Sequence, residues 1–157
     1  MGTEIERKFL LASDAWRSKV ERSVPMVQVY LAHTPQSQVR LRRTGDKAYV
    51  TVKGAKTGIS RAEIETQVPV SFADQIVEAR LYVLSPVVKT RHLVPVDGHV
   101  FEIDEYAEAN AGLVVAELEL AAEDTPYPQP DWLGEEVSAD PRYANLALAE
   151  SPYTTWA

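Results

Sequence analysis

The chain has 157 residues, of which 45% are hydrophobic and 25% charged, so it suits one globular domain with a substantial core. The net charge of −7 argues against a basic nucleic-acid-binding surface, and the absence of cysteine excludes disulfides, thiolate metal sites and a cysteine nucleophile. No apolar run reaches membrane-spanning length and no signal-peptide core is present, so we expect a cytoplasmic protein that contacts neither nucleic acid nor membrane.

Short alternations of apolar and polar residues, separated by turn residues, predict eight β-strands. They are expected at residues 3–11, 26–33, 37–44, 47–54, 61–69, 85–94, 99–106 and 113–121. Gly45-Asp46 and Asp97-Gly98 mark tight hairpin turns between consecutive strands. Short, evenly spaced antiparallel strands predict a mainly β fold, of the α+β kind, whose sheet closes into a barrel and has no free edges.

Helices are predicted to be accessories to this sheet. Ser13 begins a short helix that carries Trp16. Ser71, with Asp74 three residues later, resembles a capping arrangement for a second helix that runs to about Leu81. We expect these helices to pack outside the barrel, against the apolar faces of the strands.

The whole chain, residues 1–157, is predicted to form one domain in which 126–157 is a C-terminal helical extension. The extension begins Pro-rich, and Asp140-Pro141 opens its predicted helix. Because it carries none of the charged pairs described next, we expect it to contribute packing and to close one mouth of the barrel.

Six strand segments place two like charges two residues apart within an apolar run. They are Glu4-Ile5-Glu6, Arg40-Leu41-Arg42, Glu63-Ile64-Glu65, Lys89-Thr90-Arg91, Glu102-Ile103-Asp104 and Glu117-Leu118-Glu119. Since successive side chains of a strand point to opposite faces, each strand has one apolar face and one face of a single charge sign. Like charges roughly 7 Å apart on that face repel each other unless counter-charges or a ligand neutralise them. A solvated strand explains one such pair as well as a site does, but six pairs favour a charged lumen.

Two sets of charges would meet in such a lumen. The carboxylates Glu4, Glu6, Glu117 and Glu119 are suitable ligands for a hard divalent cation, Mg²⁺ or Mn²⁺. The cations suited to phosphate oxygens are Lys8, Arg40, Arg42, Lys53, Lys89 and Arg91. Salt bridges to neighbouring carboxylates explain these cations equally well when no ligand is bound. Together the two sets describe a site for a metal–polyphosphate chelate.

With these residues identified, the chain resembles the CYTH superfamily, also called the triphosphate tunnel metalloenzymes. The family's first-strand motif, Glu-x-Glu-x-Lys, is matched by Glu4, Glu6 and Lys8, and the later charged positions follow in family order. The resemblance covers Glu4 to about Leu120. It implies an eight-stranded antiparallel tunnel and an enzyme that cleaves triphosphates or cyclises ATP with Mg²⁺ or Mn²⁺.

The resemblance also implies roles for the charged residues. The four glutamates named above would hold the metal and the six cations would bind the triphosphate, with Lys8 also acting in catalysis. Glu63, Glu65 and Asp104 are further catalytic candidates, which would orient the cations, contribute to a second metal site or position the attacking water. The single-domain size looks most like the small bacterial members that hydrolyse inorganic tripolyphosphate to pyrophosphate and phosphate.

Two other functions stay open at this point. A class IV-type adenylate cyclase uses the same kind of tunnel but needs a pocket for the base, to which we can assign no residues. A non-catalytic binding module would hold polyphosphate or an organic phosphate, although the acidic set would repel this ligand unless a metal intervened. ATP and thiamine triphosphate are alternative substrates for the same chemistry, and a homodimer is a further expectation.

Overall fold

The computed structural model describes residues 2–156, which form one antiparallel sheet with a few short helices. The strands are β1 Gly2–Leu11, β2 Arg22–His33, β3 Ser37–Thr44, β4 Lys47–Gly54, β5 Ser60–Val68, β6 Val83–Val96, β7 His99–Tyr106, β8 Val114–Glu119 and β9 Leu133–Glu136. The helices are α1 Val70–Glu78 and α2 Asn145–Glu150, with 3₁₀ turns at Ala15–Lys19, Glu108–Asn110, Pro141–Tyr143 and Tyr153–Thr155. The predicted closed antiparallel sheet of eight strands is confirmed by β1–β8, whereas β9 was not predicted.

The sheet closes on itself through β1. Its strand order is β5-β4-β3-β2-β6-β7-β8-β1-β9, and β1 also pairs with β5. Along one edge β1 pairs with β8; along the other, Gly2–Ile5 pairs with β5, while Phe9 and Leu11 pair with β9. A Cβ atom at Gly134 of β9 would lie 2.7 Å from the Leu10 carbonyl oxygen, so glycine permits this close approach. β9 therefore satisfies backbone groups of β1 beyond the point where β5 stops pairing.

The apolar faces of the strands point out of the barrel, as predicted. One cluster over β1 and β6–β8 includes Trp16, Phe101 and Trp132, all buried. A second cluster lies under α1, where Ala73 packs against Leu41 of β3 and its neighbours. Burial of each large side chain contributes roughly 1.5–3 kcal/mol to folding, so these two clusters stabilise the outer face.

The start of α1 differs from the prediction. Pro69 lies at the N-cap without any side-chain hydrogen bond to the backbone, so the Ser71 and Asp74 capping arrangement was wrong. The Asp74 carboxylate instead accepts a hydrogen bond from Arg43 at 2.6 Å. Arg80, with φ of 55°, leaves the helical conformation and ends α1 before the predicted boundary at Leu81.

The C-terminal helix enters one end of the barrel. Leu148 and Ala149 of α2 are buried in a cluster with Tyr30, Val87 and Tyr106. By strand alternation these three residues lie on the inner faces of β2, β6 and β7. The prediction of helices outside the barrel therefore holds for α1, whereas α2 packs on inward-facing side chains.

α2 begins at Asn145 rather than at the predicted Pro141. Pro141 opens a 3₁₀ turn, in which the Asp140 carboxylate accepts a hydrogen bond from the backbone N–H of Arg142. Ala144 then adopts extended backbone, with φ of −68° and ψ of 142°, and interrupts the helix. Within residues 2–156 no helix is long and apolar enough to cross a membrane.

Candidate active site

Most of the charged side chains assigned to the lumen surround one interior cavity of about 270 Å³, here called the tunnel. Its lining residues are Glu4, Glu6, Met26, Arg40, Arg42, Lys53, Glu63, Glu65, Arg91, Glu102, Glu117, Glu119 and Asn145. Lys8 lies in a smaller adjoining pocket that shares Glu4 and Glu6 with the tunnel. Lys89 and Asp104 are buried behind the tunnel wall, in contact with Arg91 or with each other.

The strand register explains how the like-charge pairs are compensated. Lys8 of β1 lies directly opposite Glu117 of β8, and Arg91 of β6 lies opposite Asp104 of β7. Directly opposed side chains have Cβ atoms only about 4.5–5.5 Å apart, so a strand of one sign is neutralised by its neighbour. Charges on adjacent strands thus stabilise part of the like-charge pairs, including Lys89 and Arg91 on β6.

Asp104 holds two cations in fixed positions. Its carboxylate accepts hydrogen bonds from Arg91 Nε and Nη2 at 2.8 and 2.9 Å, and from Lys89 Nζ at 2.7 Å. Arg91 also donates to Glu102 at 3.0 Å and to Glu117 at 3.2 Å. Burial lowers the pKa of Arg91, but Asp104 and the other carboxylates outweigh burial and keep that pKa well above its usual value. The guanidinium is therefore always charged and fixed in orientation at the tunnel wall.

The arginines of β3 are held more loosely. Thr51 Oγ1 donates to Glu65 at 2.7 Å and accepts from Arg40 Nη2 at 3.4 Å, while Glu65 lies 3.6 Å from Arg42 Nη2. The Nε atoms of Arg40 and Arg42 are buried without a hydrogen-bond partner among the described residues. Burial and the Arg40 charge lower the pKa of Arg42. A buried donor without a partner destabilises the folded protein, so the guanidinium groups of Arg40 and Arg42 are suited to bind an anion.

Carboxylates face one another where β8 meets its two neighbours. Glu6 lies opposite Glu119 across β1 and β8, and Glu102 lies opposite Glu117 across β7 and β8. Burial and the Glu117 charge raise the pKa of Glu6 to about 8. Burial also raises the pKa of Glu117, but Lys8 and the other tunnel cations outweigh burial and lower that pKa. This side of the tunnel therefore has an excess of negative charge, even with Lys8 within 4 Å of Glu6 and Glu117.

A second carboxylate pair lies beside Lys53. Lys53 Nζ is 2.9 Å from Glu4 and 3.6 Å from Glu63. Burial raises the pKa of Glu4, but the hydrogen bond with Glu63 and the Lys53 charge lower that pKa to about 2. The same hydrogen bond, together with burial, raises the pKa of Glu63 to about 7. The two carboxyl groups thus hold one proton between them near neutral pH.

The carboxylates fit a hard divalent cation in their chemistry, although they are not yet arranged around one. Within residues 2–156 no three Asp, Glu or His side chains are grouped closely enough to hold a metal ion as they stand. Glu4 turns to Lys53 and Glu117 turns to Arg91. Glu117 Oε1 is buried without a hydrogen-bond partner, and neighbouring carboxylates suppress ionisation of Glu6. A cation at this place would satisfy both groups.

Two inward-facing residues beside the tunnel were missed in the sequence, and a third was given no role. Tyr30 and Thr51 occupy inward positions that strand alternation could have identified, since each lies two residues from another inward-facing side chain. Glu102 was recognised as part of a like-charge pair, but no function was assigned to it. Burial raises the pKa of Tyr30 to about 12, so its hydroxyl stays protonated. Strand alternation could not have identified Asn145, because it belongs to α2. Its Oδ1 accepts a hydrogen bond from the Tyr106 hydroxyl at 2.8 Å.

Comparison with known proteins agrees with this geometry. The model of the CYTH domain family matches residues 2–147. An inorganic triphosphatase of Acetivibrio thermocellus is 43% identical over 155 residues, covering 98% of this chain and 97% of the relative. An inorganic triphosphatase of Nitrosomonas europaea is 38% identical, with 95% and 98% covered. A crystal structure of an inorganic triphosphatase has a TM-score of 0.68 at 36% identity and covers 95% of each chain.

Proposed function

The chain belongs to the CYTH family, and from this premise we propose that it hydrolyses inorganic tripolyphosphate to pyrophosphate and phosphate in the tunnel, with Mg²⁺ or Mn²⁺. Its full-length relatives named inorganic triphosphatases support this activity. The observation that carries the proposal is the tunnel itself. Arginine side chains with unsatisfied N–H donors and carboxylates with too little positive charge around them line one cavity. A metal–triphosphate chelate supplies what each set lacks: negative oxygens for the first and a cation for the second.

The cations bind and orient the triphosphate. Arg40 and Arg42 line the tunnel and would donate guanidinium N–H groups to phosphate oxygens, and Arg91 presents a guanidinium that Asp104 already holds in place. Lys8 lies within 4 Å of two tunnel glutamates, 3.8 Å from Glu117, and is almost completely buried. These preorganised charges would stabilise the negative charge on the transferring phosphoryl group without reorganising during the reaction.

The predicted metal ligands are Glu4, Glu6, Glu117 and Glu119, all of which line the tunnel. When bound, the divalent cation would neutralise phosphate oxygens and polarise the phosphorus. The glutamates would meanwhile keep the triphosphate from binding without it, because their charges repel the oxyanion.

The three remaining carboxylates are assigned different tasks. Asp104 and Glu65 contact arginines and act as positioning residues. Glu63 shares its hydrogen bond with Glu4 and so faces the predicted metal ligands, where we assign it to orient the attacking water. That water forms a bond to a terminal phosphorus, the phosphoanhydride bond breaks, and the water's proton leaves with the products.

Hydrolysis fits the tunnel better than its rivals do. Apart from charged groups, the tunnel is lined by Met26 and Asn145, which provide no aromatic platform for the adenine that a cyclase must hold. A binding module that works without metal does not explain the buried glutamates of β1 and β8, because their negative charges repel an anionic ligand.

The decisive experiment measures phosphate release from tripolyphosphate, ATP and pyrophosphate with Mg²⁺, Mn²⁺ or EDTA. We expect release from tripolyphosphate with either metal, none in EDTA, and loss in Glu4→Ala. Release in EDTA, or equal release by Glu4→Ala, would overturn the metal assignment. Cyclic nucleotide formation from ATP without tripolyphosphate cleavage would favour the cyclase.

Lys8 offers a sharper test of charge stabilisation. Lys8→Ala is expected to lower turnover of tripolyphosphate by about a hundredfold or more, because one preorganised charge typically contributes that much. Its melting transition should stay cooperative, since the neighbouring strands remain paired. An unchanged turnover number in a folded Lys8→Ala protein would remove Lys8 from the mechanism.

A further inference from the structure

A second pocket, here called the side pocket, opens beside α2 and has a volume of about 600 Å³. It is lined by His33, Gln38, Lys56, Arg61 and Leu146, among others. The small pocket that holds Lys8 shares residues both with the side pocket and with the tunnel. α2 therefore borders both cavities, and its Leu146 lines the small pocket as well as the side pocket.

The cations of the side pocket differ from those of the tunnel. All six predicted tunnel cations lie within 4.0 Å of a carboxylate. Within residues 2–156, neither Lys56 nor Arg61 forms such an ion pair, and Lys56 Nζ donates instead to the Ser138 carbonyl at 3.4 Å. Among the described residues that line the side pocket there is no carboxylate, although Glu4 and Glu6 line the small pocket together with Lys56 and Arg61. The two cations are therefore near carboxylates without forming an ion pair with one.

The cations around the small pocket act on one another. Burial, Lys8 and Arg61 lower the pKa of Lys56, and together they outweigh Glu6 and Glu4, which raise it. Arg61 of β5 lies opposite Glu4 of β1 in the strand pairing, yet the two form no ion pair in the part of the chain that the structure describes. Lys56 and Arg61 thus carry positive charge that no ion pair neutralises, an arrangement that an anion would stabilise.

We propose that Lys56 and Arg61 form a phosphate subsite that works without a metal ion, next to the tunnel and built from side chains other than the predicted metal-binding carboxylates. Its ligand is a phosphate group beyond those held in the tunnel. Two sources share this chemistry: the phosphate or pyrophosphate product, and the far end of a polyphosphate longer than three units. The charge and position of Lys56 and Arg61 support the existence of the subsite, whereas the assignment of its ligand rests on the proposed function.

Binding of pyrophosphate in EDTA tests the subsite directly. Without metal the tunnel carboxylates repel the anion, so the side pocket should dominate binding measured by titration calorimetry. The double variant Lys56→Gln with Arg61→Gln is expected to bind pyrophosphate with an affinity lower by about tenfold or more, because charge-assisted hydrogen bonds typically contribute that much. The charge-keeping variant Lys56→Arg with Arg61→Lys should retain most of the affinity.

A matched control is available on the outer surface. Lys19→Gln with Arg22→Gln removes the same two charge types from exposed positions outside the tunnel and the side pocket. This control should bind pyrophosphate in EDTA as the unmodified protein does. Equal affinity of both double variants and the unmodified protein would overturn the subsite, and equal weakening of both would overturn it in favour of general net charge.

Kinetics with Mg²⁺ then distinguish the two sources. If the far end of a long chain binds, the Lys56 and Arg61 variant loses kcat/KM for tetrapolyphosphate about tenfold relative to tripolyphosphate. If the product binds, that ratio holds and the inhibition constant of pyrophosphate rises instead. If the proposed function is wrong, the unmodified protein shows no turnover in these kinetic experiments. The titration with pyrophosphate in EDTA still tests whether the subsite exists.

Discussion

The two sides of the tunnel carry similar charged side chains but arrange them differently. On the β6–β7 side, Lys89 and Arg91 converge on Asp104, and the three groups are buried with every charge paired. On the β1–β8 side, Glu6 faces Glu119 in the strand pairing, and Lys8 lies 3.8 Å from Glu117 and 3.9 Å from Glu6. The first side is electrostatically complete, whereas on the second one lysine faces several carboxylates and further positive charge is needed.

This difference suits the two sides to different tasks in one site. A complete network of ion pairs holds its donors in a single geometry, which suits binding and orienting phosphate oxygens, and its disruption lowers the free energy of unfolding. An incomplete network lowers the free energy of unfolding of the metal-free protein, and binding of a cation raises it again. Charge removal should therefore have opposite effects on the two sides.

The largest expected effect is at Asp104. Asp104→Asn leaves Lys89 and Arg91 buried without their carboxylate, and breaking such a network typically costs about 3–5 kcal/mol. We expect a loss of this size in the free energy of unfolding measured with urea in EDTA. Since Asn preserves the size of the side chain, a loss below about 1 kcal/mol would show that the β6–β7 side is not the complete network described here.

Removal of a charge at Glu6 should instead stabilise the metal-free protein. The pKa of Glu6 in the folded protein is about 8, above its ordinary value of 4.5, so the folded protein keeps a proton that the unfolded chain releases, and the free energy of unfolding falls as pH rises between these values. Glu6→Gln removes that loss and should raise the free energy of unfolding by about 4 kcal/mol at pH 8 in EDTA. The gain should vanish below pH 4.5, where both states hold the proton. A Glu6→Gln protein less stable than the unmodified one at pH 8 would contradict the comparison.

Metal binding should depend on pH for the same reason. A divalent cation must displace the proton that Glu6 retains below pH 8, so affinity should rise with pH up to that value. We expect affinity for Mn²⁺ to increase by about tenfold between pH 6.5 and 7.5, which is about 1.4 kcal/mol. Thermal shifts at several Mn²⁺ concentrations measure this, and Glu6→Gln should flatten the dependence. A pH-independent shift in the unmodified protein would be evidence against Glu6 as a ligand.

The membership of the tunnel could be predicted from the sequence more completely than its ion pairs. Alternation places Glu6 and Lys8 on one face of β1 whatever the fold around them, because side-chain direction in a strand has a period of two. The choice of partner depends on strand register, as in the pairing of Lys8 with Glu117 more than a hundred residues away. Register is a tertiary property, so the contacts of Thr51 followed only from the structure, whereas orientation of the cations by Asp104 was one of three alternatives that the sequence left open.

One strand, β9, and the position of one helix, α2, could not be predicted, for related reasons. β9 spans only Leu133–Glu136, includes Gly134 and pairs with the distant β1, so it lacks both the length and the alternation of a strand signal. α2 has an ordinary apolar stripe, which indicates burial but does not distinguish the outside of a barrel from its interior. The position of Asn145 in the tunnel depends on that second choice.

The smallest expected effect comes from an ion pair that matches the Asp104 pair in distance but not in burial. Arg43 Nη1 lies 2.6 Å from Asp74, and Lys89 Nζ lies 2.7 Å from Asp104, yet the first pair is 42% and 47% exposed and the second 1% and 0%. Water screens the exposed charges, so Asp74→Asn should cost no more than about 1 kcal/mol in the same urea experiment. Added salt should reduce this small loss further, while the Asp104→Asn loss should change little. Similar losses for both variants would mean that distance, rather than burial, determines the energy of these pairs, and the contrast between the two sides of the tunnel would then lose its physical basis.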